Sequence, residues 1–171
     1  IKGKSFSFVS ATSTSGFAIP SSSIVEKFGL ESSDELLEDG KFFSSVMFGD
    51  SHQGSAVNLL SGNAEAAAFD DIDVDMYFDL VSGEPNTVGA VYKVKDDAEA
   101  PFDTVRGEQF TIIGITPVLN APFCYNTDTL SEDEQKAITD AMTSADTAAN
   151  SAIFYDGEDE NATGLVEKES D

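Results

Sequence analysis

Ser5-Phe6-Ser7-Phe8-Val9-Ser10, then Ala11-Thr12-Ser13-Thr14-Ser15-Gly16 and Phe17, is the stretch on which the reading of this chain turns. Its first residues alternate small polar and apolar side chains, the period-2 pattern of a strand. The next six are turn formers and helix cappers. A helix is expected beyond them to about residue 28, with Phe17, Ile24, Val25 and Phe28 on its apolar stripe. Pro20 is unsuited to a helix interior, where it removes a hydrogen bond. The expectation is therefore a short first turn, a regular helix resuming near Pro20, and a stop at Gly29.

The same alternation of strand and helix continues outward. Residues 32–40 are acidic and read as a surface connection with some helix, and residues 42–48 read as a second strand ended by Gly49-Asp50. Ser51 is placed to cap a helix carrying Ala56, Val57, Leu59 and Leu60, which Gly62-Asn63 ends. Residues 64–69 form a small-residue apolar run, the pattern of a strand buried on both faces. Residues 71–80 read as helix through Ile72, Met76, Tyr77 and Leu80, and residues 87–95 and 109–116 as later strands. Strands at 5–10, 42–48, 64–69 and 109–116 are expected to share one sheet. That predicts an α/β fold, a three-layer arrangement around a mostly parallel sheet. A further strand is expected at Phe123-Cys124-Tyr125, then a helix from Ser131-Glu132-Asp133-Glu134 to about residue 150. The acidic tail, 156–171, is expected to be mobile at its end.

Charge excludes whole classes of partner. Nine Lys and Arg stand against thirty-two Asp and Glu, a net charge of −23 in 171 residues. Such a field repels nucleic acid and anionic lipid. Thirteen Phe among 40% hydrophobic residues suffice for a true core. The single Cys124 excludes an intrachain disulfide and a CxxC site, and is expected to be a buried thiol. No run of eighteen apolar residues spans a bilayer. The start at Ile1-Lys2-Gly3 lacks a basic n-region and apolar h-region, and reads as a cut inside a longer protein whose leader has been trimmed.

The chemistry concentrates where strands end. Free N–H groups at a helix start, with the hydroxyls of Ser13, Thr14 and Ser15, make a neutral cradle for an oxyanion. The same residues also suit a plain helix cap, and both readings stand. His52, the only histidine, follows Ser51 at the next helix start. In a parallel sheet both starts lie at the carboxyl edge, where ligands of open α/β sheets bind. A histidine there can donate to an oxyanion or simply hold structure. Asp70-Asp71 falls on the same edge, with Asp71 the candidate pocket residue. Asp71-x-Asp73-x-Asp75 resembles a calcium loop, but Met76 and Ser82 stand where that loop needs Gly and Glu. One histidine, no HExxH, no GxSxG and no GxxxxGK[ST] P-loop leave little for catalysis. Asn161-Ala162-Thr163 is a lone sequon.

Taken in order, Gly3-Lys4-Ser5-Phe6-Ser7-Phe8-Val9, Ser13-Thr14-Ser15-Gly16-Phe17 and Pro20 resemble the phosphonate, phosphite and phosphate binding proteins of ABC importers. So do Gly49-Asp50-Ser51-His52, Val57-Asn58-Leu59-Leu60-Ser61-Gly62 and Glu65-Ala66-Ala67-Ala68, with Thr116-Pro117, Pro122 and the helix from Ser131. The resemblance covers about residues 1–150. It implies a type II periplasmic-binding-protein architecture in two lobes. Residues 1–115 would form the second lobe, and 116–171 a hinge return and the C-terminal part of the first. It implies that Ser13, Thr14, Ser15 and His52 bind the oxyanion. One acidic residue that takes the amine of aminoalkyl phosphonates in the family falls near Asp71. Where another is expected this chain has Asn120-Ala121, which favours a smaller oxyanion.

The expectation is thus a non-enzymatic solute-binding component of an ABC importer, outside the cytoplasm, in the periplasm or as a surface lipoprotein. Its partners are a small oxyanion such as phosphonate, phosphite or phosphate and a membrane permease, with no nucleic acid. Membrane association comes only through a lipid anchor or that permease. No cofactor, metal ligand or catalytic residue is expected. Neutral donors reconcile the acidity with an anion, since surface charge is screened over about 8–10 Å. The alternative of another class is an acidic extracellular interaction or adhesion domain without a small ligand. A third is an enzyme on a similar two-lobed fold.

Overall fold

The computed structural model describes residues 1–71, 76–118 and 123–150. The chain divides into two compact units, Ile1–Val118 and Leu119–Asp171.

In the first unit β1 (Ser5–Phe8) pairs in parallel with β2 (Ser45–Phe48) and β3 (Ala66–Ala67), in the order β2-β1-β3. The links between them are α1 (Ile19–Phe28) and α2 (His52–Leu60), so the expected strand–helix–strand alternation is present. Alternation along β1 assigns its two faces. Phe6 and Phe8 are buried on one side with Phe17 and Ile24 of the helical segment and with Phe42 and Phe43. Phe6 stacks on Phe43 at 4.6 Å, and Phe8 meets Phe17 edge-on at 5.0 Å. Such aromatic pairs add about 0.5–1.5 kcal/mol each to the area they bury.

Ser7 faces the other way, fully buried beneath α2. Ser55 Oγ lies 3.0 Å from the Ser7 carbonyl oxygen and 3.1 Å from its hydroxyl, and Asn58 Nδ2 donates to that hydroxyl at 3.1 Å. Small polar residues here let the helix approach the strand closely while every buried polar atom of the contact finds a partner. Ala56 and Leu60, one turn apart, occupy the opposite side of α2 and join a second core with Phe78, Tyr92, Val94, Phe102 and Phe110. This unit is therefore layered: α1, parallel sheet, α2, second sheet.

The second sheet corrects two expectations. β4 (Phe78–Ser82), β5 (Val91–Val94) and β6 (Gln109–Thr111) form an antiparallel meander. Residues 109–116 therefore do not extend the parallel sheet, and parallel pairing does not dominate. The physical sign is burial with period 2: Tyr92 and Val94 are buried while Val91 and Lys93 are only half covered. Strands covered on one face can be joined by turns, with no crossover helix. Helix through Leu80 is also overturned. Of that stretch, residues 72–75 lie outside the described residues, and Phe78–Ser82 pairs with β5. Cross-strand burial of Phe78 beside Phe102 and Phe110 outweighs the local helical spacing.

In the second unit α3 (Glu132–Met142) opens with the expected capping box, in which Ser131 and Glu134 satisfy each other's backbone N–H. It stops short of residue 150. Thr143 and Ser144 turn their hydroxyls onto the carbonyls of Thr139 and Ala141, and Ser144 caps a new turn, α4 (Ala145–Ala148). Phe123-Cys124-Tyr125 forms no strand, and Cys124 is exposed, not buried. No described residue of this unit is fully buried, so the segment has no core to enter. The acidic tail and the sequon lie outside the described residues.

Candidate functional site

Beyond β1 the chain reverses through Ser10, and Val9 N–H donates to the Gly16 carbonyl at 3.2 Å. Ser13 is the N-cap of a π turn over Thr14–Ala18, its hydroxyl oxygen accepting from Gly16 N–H at 3.0 Å. The π turn feeds directly into α1, where Pro20 stands within the first two positions and its missing N–H has no partner to lose. The short first turn expected ahead of Pro20 is therefore present. Gly16 is required by contact: a Cβ there would overlap the Val9 side chain. Among the described residues the backbone N–H groups of Thr14 and Ser15 have no hydrogen-bond partner. The cap reading is thus correct for Ser13, whose hydroxyl proton nevertheless remains free to donate.

The second helix start lies beside the first. Gly49 N–H and Asp50 N–H continue the parallel pairing onto the carbonyls of Phe8 and Val9, at 2.8 and 2.9 Å. Ser51 then caps α2 by accepting from Gly54 N–H at 2.9 Å, and His52 is the first helical residue. Gly49 and Gly54 permit this turn, because a Cβ on either would run into the other's backbone or that of Ser55. Adjacent parallel strands end side by side, so the two turns share one edge. Their side chains meet: Ser15 Oγ lies 3.3 Å from His52 Nε2.

A third strand end completes the cluster. Past β3 the chain reaches Asp70, whose backbone N–H donates to His52 Nδ1 at 2.9 Å. A backbone N–H can only donate, so Nδ1 is the acceptor nitrogen and the ring proton sits on Nε2. That proton faces Ser15 Oγ and Asp70 Oδ2, the latter 3.2 Å from Nε2. Both the His52 and Asp70 side chains are roughly three-quarters covered, with 24% and 22% exposure.

Of the residues singled out in the sequence, Ser13, Ser15 and His52 come to one edge half-buried, and Thr14 lies exposed between the two serines. Asp71 is exposed, and it is Asp70 that contacts His52. The sequence placed both aspartates on this edge, but only the path of the chain decides which one turns inward. The assembled donors are neutral: hydroxyls, free N–H groups and an imidazole N–H. Among the described residues no three His, Cys, Asp or Glu side chains are grouped to hold a metal ion, and no helix is long and apolar enough to cross a membrane.

A family model described as "ABC transporter, phosphonate, periplasmic substrate-binding protein" matches residues 1–169. No curated protein and no solved structure matches the chain. The family is one of binding proteins whose ligand passes to a membrane permease outside the cytoplasm, and the α/β fold with its parallel sheet fits it. With residues 1–169 of 171 matched, the chain belongs to the phosphonate-binding ABC transporter periplasmic substrate-binding protein family.

Proposed function

We propose that this chain captures a phosphonate-, phosphite- or phosphate-like oxyanion at the helix start after β1, held by Ser13, Thr14, Ser15 and His52. The observation that carries the reading is the 3.3 Å approach of His52 Nε2 to Ser15 Oγ, beside the N–H groups of Thr14 and Ser15 that have no partner among the described residues. Donors from two neighbouring strand ends thus stand together, which an anion site needs and a helix cap does not. Asp71 stands at the rim, able to meet a cationic substituent. In this reading residues 1–115 are the second lobe, residues 116–171 return to the first, and the ligand is delivered to the permease from the periplasm or from a lipid-anchored surface protein.

Each hydroxyl bonded to a charged ligand contributes about 1.5–3 kcal/mol. The double variant Ser13→Ala/Ser15→Ala should therefore bind methylphosphonate or phosphate about two to four decades more weakly in calorimetric titration. Unchanged affinity would reduce these residues to helix caps. A chain whose melting temperature ignores every phosphonate, phosphite and phosphate tried would point instead to an interaction domain.

A further inference from the structure

The cradle of neutral donors has a carboxylate in it. Asp70 Oδ2 and Ser15 Oγ stand 3.2 and 3.3 Å from the same nitrogen, His52 Nε2. An anion oxygen that takes the His52 N–H lies within two hydrogen-bond lengths of the Asp70 carboxylate, about 6 Å at most. Two like charges at that separation disfavour each other strongly in a half-buried site. The conflict disappears if the ligand turns a protonated oxygen toward Asp70, because repulsion is then replaced by an O–H to carboxylate bond. A permanently ionised tetrahedral anion has no such proton to offer.

We propose that Asp70 makes this site select oxyanions that keep a P–OH at neutral pH, and reject fully ionised anions of the same shape such as sulfate. The inference rests on the cradle reading above and adds to it a residue, Asp70, and a rule about the ligand's protonation. The backbone of Asp70 serves the same end. Its N–H holds Nδ1, so His52 presents Nε2–H as a donor, and the carboxylate receives what the ligand donates. One residue thereby supplies a donor through its main chain and an acceptor through its side chain.

The test is calorimetric titration of the full chain at pH 7 and one ionic strength with two isosteric pairs. These are phosphate against sulfate, and methylphosphonate against methanesulfonate. Wild type should prefer the phosphorus member of each pair by roughly a hundredfold or more, since a polar group left unpaired in a site built for it is heavily discriminated against. Asp70→Asn and Asp70→Ala should each cut that ratio to roughly tenfold or less, chiefly by raising affinity for sulfate and methanesulfonate, a gain a purely structural role would not give. The lone histidine supplies a second readout. Its 15N shifts should place the proton on Nε2 in wild type and in Asp70→Asn alike, because the Asp70 N–H is retained.

Equal binding of phosphate and sulfate by wild type overturns the proposal while leaving the cradle intact, as does a ratio that survives in both variants. A loss of affinity in both variants restricted to 2-aminoethylphosphonate, with phosphate and sulfate binding unchanged, overturns it too and assigns Asp70 to an amine. If wild type binds none of the four anions, the cradle reading itself falls and takes this one with it.

Discussion

Ser7 Oγ and Ser55 Oγ stand 3.1 Å apart, both without solvent exposure, where α2 crosses β1. That contact ties the helix that begins with His52 to the strand that leads into Ser13–Ser15. The candidate site is thus held together from beneath, by a polar lock that no single stretch of sequence contains.

Breaking that lock should be felt in stability. Ser7→Ala removes the hydroxyl that accepts from Asn58 Nδ2 while Ser55 keeps its bond to the Ser7 carbonyl, and leaving that amide without its partner costs about 1–3 kcal/mol. Ser55→Ala leaves Asn58 still bonded to Ser7 and should cost less. Urea denaturation of the two variants measures the difference. Equal midpoints for Ser7→Ala and wild type would mean the lock contributes nothing.

Gly54→Ala tests the tight turn that places His52. Its new Cβ meets the Gly49 carbonyl oxygen, a backbone atom that cannot swing aside as a side chain would. We expect a loss of about 1–3 kcal/mol, the usual cost of overpacking. Ligand affinity should fall as well, because the start of α2 must shift. A variant as stable as wild type and with the same affinity would show that this turn yields at no cost.

Ser13 and Ser15 should separate in their single variants. Only Ser13 caps the helix, so Ser13→Ala should lower stability by about 1 kcal/mol and weaken binding too. Among the described residues Ser15 Oγ hydrogen-bonds only to His52, so Ser15→Ala should weaken binding with little change in the thermal midpoint. Thermal melts read beside titrations distinguish the two. Equal melting losses for both would contradict the assignment of Ser13 as the cap.

Glu134 supplies a pH dependence whose sign is determined. The Ser131 hydroxyl and backbone N–H, both bonded to its carboxylate, hold its pKa below the usual glutamate value. A depressed folded pKa means the stabilisation is present above the unfolded pKa and is lost as pH falls through the folded one. Amide signals of residues 131–135 should therefore broaden or shift toward coil only at acid pH. Glu134→Gln should remove the acid-side change, since the amide does not titrate and can still close the capping box. Persistence of that change in Glu134→Gln would place its origin elsewhere.

The site edge was legible where the information is local. A strand followed by capping residues, with Gly where backbones crowd, predicts a helix start from a dozen residues. Two such units in succession predict parallel strands whose ends lie together. The same argument failed for residues 78–82, because spacing with an apolar residue every three or four positions fits a helix and β4 gains its burial from partners far along the chain. It failed for Cys124 because an apolar neighbourhood in sequence is not a core.

By itself the sequence determined the alternation of the first three strands with α1 and α2, the helix starts at Ser51 and Ser131, and the gathering of the Ser13–Ser15 hydroxyls and His52 at one edge. Those features depend on hydrogen bonds and periodicities that span a few residues. Tertiary structure alone decided that Asp70 and not Asp71 faces His52, which ring nitrogen bears the proton, and that the strands from Phe78 onward form a separate antiparallel sheet. These depend on contacts such as Ser15 to His52, 37 positions apart, and Ser7 to Ser55, 48 apart. At such separations the pairing is chosen by burial and polar satisfaction across the whole unit, and no local pattern encodes it.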